Sequence, residues 1–425
     1  MADRLYYGNS FLTSFDAVVT DIRLVSRTGG EALWQLALDR SAFYPTSGGQ
    51  PYDKGTLAAT SRNGAVLEVS IDEVEEDENG EIWHFTAKPL AAGTTVHAAI
   101  DWDRRLDHMQ QHSGQHLLSA IFSRELGAHT LSFHLGDESS TIDLDTASIA
   151  HASLERIEGL ANRIIAEDRL LSMRTVRRGE AVALLAAGKL RKLPEREGEI
   201  RLVEIEGIDL NACGGTHVRS TGQIGGLALR STERVRNGLR VEFVCGLRAI
   251  GSARRDFSLI SEAATTLSVP KDQVPRAIER LLSEAKQAAK QRQRLREELA
   301  RFEAVDLLTK SAVQDGVRVI RKQSPEYDAE YVKLLASRVS AAGGDALALI
   351  ASTHEEPASV VMARGADLKF SCGELMKNAL VDLGLRGGGS PTLAQGQVPS
   401  EELRSLFDRL EAGARAAGTE PAGKH

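Results

Sequence analysis

Two pairs of metal-ligating side chains stand out in the sequence, and three residues separate the members of each pair. The first pair is His112 and His116 in the segment HSGQH, and the second is Cys213 and His217 in CGGTH. A step of four residues on a helix places both imidazoles on one face, where they can share an ion. The glycines after Cys213 let the backbone fold tightly, so that thiolate and imidazole converge. Together the four side chains form a donor set that suits Zn²⁺.

Each pair has a simpler explanation when it is considered alone. Two histidines at this spacing also arise by chance or on an exposed helical face, so only the combination of both pairs favours a metal site. No glutamate follows the first histidine, and the general base of HExxH metalloproteases is therefore missing. The sequence also lacks a GxSxG nucleophile elbow, a phosphate-binding loop and a dinucleotide fingerprint. Zinc is therefore the best available catalyst.

The elements that must position these residues follow one another along the chain. Residues 1–101 alternate apolar and polar side chains between Gly, Asn and Asp turns, which predicts a small antiparallel β-barrel. Residues 102–250 mix short strands with helices near 103–126 and 153–169. This mixture predicts an α+β domain that contains the zinc site, and we expect an α+β fold class for the whole chain.

The C-terminal part of the sequence has a different pattern. Apolar side chains recur every seven residues at Val274, Leu281, Ala288, Leu295 and Phe302. Residues 251–305 therefore predict a long spacer helix or half of a helical hairpin, and Arg292 makes a continuous coiled-coil seam the weaker alternative. Residues 306–415 predict a compact α/β domain. Residues 416–425 are rich in Gly, Pro and Ala, and we expect a disordered tail.

Composition and charge exclude several classes of function. The chain has 425 residues, which is enough for two or three domains, and a formal charge of −7, which argues against nucleic-acid binding driven by overall charge. Three cysteines are too few for a disulfide framework. No segment approaches the roughly 18 apolar residues of a membrane helix, and no signal peptide is recognisable. We therefore expect a cytoplasmic protein with no membrane partner.

Three segments resemble the signature segments of alanyl-tRNA editing domains, which occur in alanyl-tRNA synthetase and in the free-standing AlaX proteins. They are FYPTSGGQPYDKG at 43–55, RRLDHMQQHSGQHLLS at 104–119 and NACGGTHVRSTGQIG at 211–225. The resemblance covers residues 5–250. Residues 251–415 are similar to the helical spacer and C-terminal domain of alanyl-tRNA synthetase, including CGELMKNALVDLGLRGGGSPTLAQG at 372–396. The chain thus resembles the long type of AlaX.

This resemblance implies a zinc-dependent, trans-editing hydrolase. Its expected reaction is deacylation of mischarged Ser-tRNA(Ala), and of Gly-tRNA(Ala) in some members, without any aminoacylation. The implied partners are tRNA(Ala) carrying serine or glycine, and a second copy of the chain through the C-terminal region. Two rivals remain: editing of Ser-tRNA(Thr), and a zinc-stabilised RNA-binding module without catalysis. A nuclease is discounted because the chain contains no Asp-His-His motif.

The resemblance also nominates residues for the editing pocket. The GGQ segment lies at this pocket in the family, which implies a role for Gln50, with Thr46 and Ser47 as neighbours. Gly48 and Gly49 fit the same segment, although an ordinary tight turn explains them too. A site that hydrogen-bonds a substrate hydroxyl can reject the analogue without it by roughly 10⁴ or more. On this basis Gln50→Ala is expected to impair serine discrimination or turnover without releasing zinc.

Three further residues complete the predicted site. Gln115 and Thr216 lie within the ligand motifs and are assigned with Gln50 to catalysis, although helix and turn packing explain them equally well. Arg105 is assigned to the terminal ribose-phosphate of tRNA, with a surface position as the alternative. Four protein ligands usually mark a structural zinc site, whereas catalysis needs an open position. Either one ligand is loosely bound, or zinc positions the substrate while another group activates water.

Overall fold

The computed structural model describes residues 2–28, 31–61, 63–190, 193–194 and 198–418. The chain divides into two compact units, Met1–Glu262 and Ala263–His425, and each contains hydrophobic cores of its own. The described helices include none that is both long enough and apolar enough to cross a membrane. The mixture of sheets and helices confirms the predicted α+β class.

The first unit begins with strands and then alternates strands with helices. Its strands are β1 Asp3–Arg4, β2 Ser14–Thr28, β3 Glu31–Leu38, β4 Arg40–Ser41, β5 Gly55–Thr60, β6 Val66–Ile71, β7 Glu73–Glu76, β8 Ile82–Thr86, β9 Thr95–Ile100, β10 Thr130–Leu135, β11 Ser140–Leu144, β12 Leu171–Val176, β13 Ile200–Ile205, β14 Asp209–Ala212, β15 Leu227–Val235 and β16 Gly238–Cys245. Its helices are α1 Leu5–Gly8, α2 Trp102–Leu126, α3 His151–Ala166, α4 Arg178–Ala186 and the first part of α5 Gly246–Leu267, which continues past Glu262 into the second unit, and Thr221–Ile224 forms a 3-10 turn.

The long strand β2 organises the N-terminal sheet because it serves two partners. Its first residues pair with β9, with Ser14 opposite Ala99, and its later residues pair with β3, with Ile22 opposite Leu36. Two register shifts in β2 mark β-bulges, which bend a strand and increase its twist. Over the described residues the strand order is β6-β5-β9-β2-β3-β8-β7, and all these pairings are antiparallel.

The apolar positions of these strands form one core, as their alternation predicts. Leu36, Leu57, Ile71 and Val96 are all nearly inaccessible to solvent. The antiparallel β unit is therefore confirmed. Closure into the predicted barrel is not, because the strand order among the described residues contains no pairing between β6 and β7.

Helix α2 is the centre of the second core. It packs against the four-stranded sheet β10-β11-β16-β15 and against α3, and a three-stranded sheet β12-β13-β14 lies beside them in the same unit. Its buried apolar side chains include Met109, Leu117 and Phe122. Gly114 allows α2 to approach β16 closely, because a Cβ at this position would collide with the sulfur of Cys245.

The second unit is an α/β domain, as its sequence predicts. Its strands are β17 Val313–Gln314, β18 Val317–Ser324, β19 Ala346–Ser352, β20 Ala358–Arg364, β21 Gly387–Gly389 and β22 Leu393–Val398, and its helices are α6 Val274–Lys310, α7 Ala329–Ala342, α8 Cys372–Val381 and α9 Leu403–Gly418, with 3-10 turns at Lys271–Gln273 and Ser400–Glu402. Within the described residues the sheet order is β17-β18-β19-β20-β22-β21, and β18 and β19 are parallel. Helices α8 and α9 contribute to one core, and α6 and α7 contribute to another.

Helix α6 covers most of the predicted spacer. Ala300 and Ala304 are buried with residues of α7, whereas Leu281, Leu295 and Phe302 of the seven-residue series remain largely exposed. The helix α9 continues to Gly418, so residues 416–418 belong to it rather than to the predicted tail. Residues 419–425 of that tail lie outside the described residues.

Candidate metal centre

Helix α2 presents the two histidines of the first pair. The carboxylate of Asp101 caps its N terminus by accepting a hydrogen bond from the Arg104 amide at 3.2 Å, and Gly127 ends it with a φ of 63°. His112 and His116 lie one turn apart on the same face, and their ring centroids are 5.1 Å apart. Both side chains are buried, so the helix holds two imidazoles inside the unit rather than on its surface.

The loop that follows β14 carries the second pair. Arg201 is 9% exposed, and its Nη1 donates hydrogen bonds to the carbonyls of Cys213 at 2.9 Å and Gly215 at 2.8 Å. Gly215 lies directly against His112, and a Cβ at this position would collide with the imidazole ring. The glycine and the buried guanidinium therefore let this loop close over α2.

The four donor atoms converge. The ligand atoms of His112, His116, Cys213 and His217 all lie within 4.8 Å of one another. Cys213 Sγ is 3.5 Å from His112 Nε2 and 3.3 Å from His217 Nε2. The His217 ring centroid is 4.4 Å from that of His112 and 4.9 Å from that of His116. Two pairs separated by about a hundred residues thus form one group that could hold a metal ion.

A hydrogen-bond partner fixes the orientation of His112. Its Nδ1 lies 2.8 Å from Gln50 Oε1, which can only accept, so the proton lies on Nδ1 and Nε2 is free to face Cys213. Gln50 Oε1 also accepts from the Thr216 amide at 3.0 Å, and Gln50 Nε2 donates to Thr216 Oγ1 at 2.8 Å. Partners of this kind set the tautomer and the orientation of metal-binding imidazoles.

The other two histidines also have polar groups at Nδ1. His217 Nδ1 is 3.1 Å from Ser113 Oγ, and that hydroxyl also accepts a hydrogen bond from the Val218 amide. His116 Nδ1 is 3.8 Å from the Asp209 carboxylate, which is a longer contact. Each imidazole thus has its Nε2 available to the group, with an amide, a hydroxyl or a carboxylate behind it.

The ionisable side chains of this group shift one another's pKa values. Burial raises the pKa of the Cys213 thiol, but the three imidazoles outweigh this effect and leave the pKa well below its usual value. Burial lowers the pKa of His116, but the Cys213 thiolate and Asp209 raise it to about 9. Burial and the neighbouring His112 lower the pKa of His217 to about 3. The group therefore favours a thiolate, which is the form of cysteine that binds metals.

A tight turn delivers Gln50 to the group. Ser47 and Gln50 exchange backbone hydrogen bonds at 3.1 and 3.0 Å, and Gly48 and Gly49 between them have φ values of 57° and 86°. These values belong to a type I′ turn, in which both central residues need a positive φ. A Cβ on Gly49 would also lie 2.7 Å from the Phe133 ring. The two glycines thus form an ordinary tight turn, and this turn also lies beside the site.

A cavity of about 370 Å³ opens on this group of four donors. His112, His116 and Cys213 line it, whereas His217 does not. Leu131 and Phe133 contribute an apolar wall, and the remaining lining includes polar residues, Gln115 among them. Metal, if bound, would therefore face a space of the size that small ligands occupy.

Comparisons with known proteins agree with this arrangement. Residues 200–241 match the family described as the threonyl and alanyl tRNA synthetase second additional domain, and residues 2–104 match tRNA synthetases class II (A). The alanine–tRNA ligase of Pyrococcus furiosus is 32% identical over 422 residues, which cover 96% of this chain and 43% of the ligase. The alanyl-tRNA editing protein AlaX-L of Pyrococcus horikoshii is 28% identical over 416 residues, which cover 96% of this chain and 97% of AlaX-L. This chain resembles AlaX of the long type.

The chain spans less than half the length of the alanine–tRNA ligases that it matches, but almost the full length of AlaX-L. Among solved structures, the C-Ala domain of alanyl-tRNA synthetase from Aquifex aeolicus is 20% identical, covering 24% of this chain and 97% of that domain at a TM-score of 0.21. That score is too low to support an argument.

The resemblance to AlaX nominated Gln50 for the editing pocket, and Thr216 was assigned to it because it lies within the second ligand motif. The structure locates both behind His112. Gln50 and Thr216 are fully buried, and neither lines the cavity. Their hydrogen bonds join the turn, the helix and the cysteine loop. Any influence on the substrate would therefore act through the position of His112.

The other predicted pocket residues divide into two groups. Ser47, Gly48 and Gln115 line the cavity. Thr46 is exposed beside the turn, and Gly49 contacts Phe133 from the side of the turn. Neither of these two lines the cavity.

The assignment of Arg105 to the tRNA is wrong. Its side chain is completely buried and forms an ion pair with the equally buried Asp53. The guanidinium also donates hydrogen bonds to the carbonyls of Ser10 at 2.8 Å and Ala42 at 2.5 Å. Because its side chain is buried, Arg105 fastens α2 to Ser10, Ala42 and Asp53 of the N-terminal β unit and does not meet a phosphate.

Sequence reasoning missed three residues that support the group. Asp209 lies four residues before Cys213, Ser113 lies next to His112, and Arg201 occurs in the preceding strand β13. Ser113 and Asp209 carry a weak signal, since each is close in sequence to a ligand. Arg201 carries none, because only the pairing of β13 with β14 brings it to the cysteine loop.

Proposed function

We propose that this chain hydrolyses the ester bond of mischarged aminoacyl-tRNA, with Ser-tRNA(Ala) as its substrate and Gly-tRNA(Ala) as a second one. The observation that carries the proposal is a buried His₃Cys group opening on a cavity, in a chain that matches nearly all of AlaX-L. AlaX-L is named as an alanyl-tRNA editing protein. The products would be free tRNA and the free amino acid.

We propose Zn²⁺ as the metal, bound by His112, His116, Cys213 and His217. Tetrahedral zinc with bond lengths of about 2.1 Å to nitrogen and 2.3 Å to sulfur separates a sulfur ligand from a nitrogen ligand by about 3.6 Å. The separations of Cys213 Sγ from two imidazole nitrogens, 3.5 and 3.3 Å, are close to this distance and slightly shorter. Imidazole and thiolate donors with ordered partners at each Nδ1 are typical of zinc sites.

The protein itself would position the metal-binding side chains, exclude water from one side of the cavity and supply fixed charges near the ester. Zinc, when bound, supplies a Lewis acid and lowers the pKa of a water molecule. Gln50, Ser113 and Asp209 hold the three imidazoles in place. Leu131 and Phe133 cover one side of the cavity with apolar surface, which strengthens electrostatic interactions with a bound ester.

A specific observation supports each of two rival functions. The matched family at residues 200–241 is shared by threonyl and alanyl synthetases, which supports editing of Ser-tRNA(Thr) as the second candidate. Similarity to AlaX-L along 96% of the chain favours alanine. A zinc-stabilised RNA-binding module without turnover is the alternative outside the enzymes, since four protein ligands also suit a structural metal.

A deacylation assay separates these functions. The full chain is incubated with Ser-, Gly- and Ala-tRNA(Ala) and with Ser-tRNA(Thr), before and after removal of metal by a chelator and its restoration with zinc. We expect rapid zinc-dependent cleavage of Ser-tRNA(Ala) and survival of Ala-tRNA(Ala). His112→Ala should abolish cleavage, whereas His151→Ala, which alters an exposed histidine, should not. If the chain binds tRNA but cleaves none of the esters faster than buffer does, the proposed hydrolase function would be refuted.

We further propose editing without aminoacylation. With ATP, alanine and tRNA(Ala), no Ala-tRNA(Ala) should form, and its formation would refute this part. We also propose that the second unit, Ala263–His425, binds tRNA or mediates a homodimer. Truncation after Glu262 should therefore weaken tRNA binding or change the oligomeric state, and a truncated chain that matches the full one in both respects would contradict this role.

A further inference from the structure

Gln115 occupies a position between the two histidines of α2 and forms part of the cavity wall. Its side chain is 5% exposed. Gln115 Nε2 donates a hydrogen bond to Ser119 Oγ at 2.8 Å, and Ser119 Oγ lies 2.7 Å from Thr130 Oγ1. This chain of polar groups runs from the helix to strand β10 and anchors the nitrogen end of the carboxamide. The carboxamide is therefore held at its nitrogen end.

The oxygen end of the same carboxamide is unsatisfied. Gln115 Oε1 is buried and has no hydrogen-bond partner in the part of the chain that the structure describes. A buried acceptor without a donor is costly, and most such atoms in proteins are paired. Gln50, in contrast, has a partner for both ends of its carboxamide. Gln115 Oε1 is thus an unpaired acceptor in the cavity wall beside His112 and His116, and a donor group on a bound ligand would satisfy it.

We propose that Gln115 Oε1 accepts a hydrogen bond from the side-chain hydroxyl of the substrate's aminoacyl group and so determines the preference for seryl over alanyl esters. This inference rests on the proposed editing function. A hydroxyl can donate to the oxygen, whereas the methyl group of alanine leaves it unpaired. A glycyl ester presents no side chain, so its cleavage depends on Gln115 much less than that of a seryl ester.

A competing assignment has a different consequence. The α-ammonium group of the aminoacyl ester is also a donor, but seryl, alanyl and glycyl esters all possess it. A residue that binds the ammonium would therefore lower cleavage of all three esters by the same factor when replaced. Only a residue that recognises the hydroxyl changes the ratio between them.

The test uses the full chain and three variants. Gln115→Met keeps the length of the side chain and removes the acceptor, and Gln115→Glu keeps an acceptor. Gln110→Met is the matched control, because Gln110 lies on the same helix, is 6% exposed and bonds to Gln223 O away from the cavity. We measure kcat/KM for Ser-, Gly- and Ala-tRNA(Ala), the bound zinc, and the affinity for 3′-seryl- and 3′-alanylamino-3′-deoxyadenosine.

Gln115→Met should lower the ratio of seryl to glycyl cleavage by roughly 10- to 100-fold, the cost of one lost hydrogen bond to a buried group. It should lower the preference for the seryl over the alanyl analogue similarly, with zinc content unchanged. Gln115→Glu should retain more of the ratio than Gln115→Met, and Gln110→Met should retain all of it. An equal loss on all esters, or an unchanged ratio, would overturn the inference.

The two hypotheses fail in different ways. If the wild-type chain cleaves none of the esters, the proposed function fails, and the analogues still test Gln115. A seryl preference in binding that Gln115→Met abolishes would then support the inference, and equal binding of both analogues would reject it. If the wild-type chain cleaves Ser-tRNA(Ala) while Gln115→Met leaves its selectivity intact, only the inference fails.

Discussion

Replacement of Gln50 by methionine separates a role in holding the metal from a role in contacting substrate. The wild-type carboxamide accepts from His112 Nδ1 and from the Thr216 amide, and donates to Thr216 Oγ1. Methionine has a similar length but offers none of these bonds. Two buried N–H groups would lose their acceptor, at about 1–3 kcal/mol each. We therefore expect the free energy of unfolding of the metal-free protein to fall by about 2–6 kcal/mol.

The effect on metal binding follows from the orientation of His112. Loss of a group that orients a ligand typically lowers metal affinity by about 10- to 100-fold. Competition with a chromophoric chelator measures this affinity for zinc, and urea unfolding of the metal-free chain measures stability. Gln50→Glu preserves an acceptor for His112 and should keep the affinity closer to that of the wild type.

Gln111→Met is the matched control for this experiment. Gln111 is as buried as Gln50 and exchanges hydrogen bonds with the backbone of Cys245 at 2.8 and 3.0 Å. Its replacement should lower stability to a comparable degree while zinc affinity is maintained. Equal losses of zinc affinity in Gln50→Met and Gln111→Met would refute the orienting role. If Gln50→Met loses turnover but keeps normal zinc affinity, the result would instead support the substrate contact that the family resemblance implied.

Two further predictions concern stability. Arg105→Met leaves the Asp53 carboxylate buried without its cation, so urea unfolding should show a loss of about 3–5 kcal/mol, and a loss below about 1 kcal/mol would contradict the buried ion pair. Burial lowers the pKa of His84 from 6.5 to about 4, although its bond to Leu36 O opposes this shift. Between pH 6.5 and pH 4 His84 is therefore protonated in the unfolded chain and neutral in the folded chain. The free energy of unfolding should fall by about 3 kcal/mol as the pH drops through this range, and His84 should cause no loss at higher pH. His84→Gln should flatten this part of the urea-derived stability profile, and identical slopes in both proteins would show that other groups cause it.

Local sequence patterns predicted most of the elements, because burial of one face leaves a periodic trace. The alternation in FDAVVTDIRLV became β2, and the helix expected near 103–126 became α2 at Trp102–Leu126. Strand β22, Leu393–Val398, was missed. Its sequence LAQGQV contains a glycine and two glutamines, and pairing with β20 and β21 rather than local propensity makes it a strand. The prediction that the N-terminal sheet closes into a barrel went beyond the pattern, since alternation does not specify which edge strands meet.

The site was predictable only where its residues are close in sequence. The spacing of four within each ligand pair indicated both pairs, and the structure brings them together. Gln50 and Thr216, in contrast, are 166 residues apart, and nothing local reveals their hydrogen bond. The same holds for Arg105, whose buried partner Asp53 lies 52 residues earlier, between β4 and β5. Exposure and partners, which decide whether a polar residue meets substrate, depend on such distant contacts.

The contacts of the four donor residues suggest how a metal bound by four protein ligands could still be accessible to substrate. His217 lies away from the cavity and has a close partner at Nδ1, and His112 is held by Gln50 at 2.8 Å. His116 lines the cavity, and the contact of its Nδ1 with Asp209 is longer, at 3.8 Å. The least constrained imidazole thus lies on the substrate side, together with the cysteine. A ligand that yields to substrate would therefore be His116, and the better-held histidines would keep the metal in place while it does so.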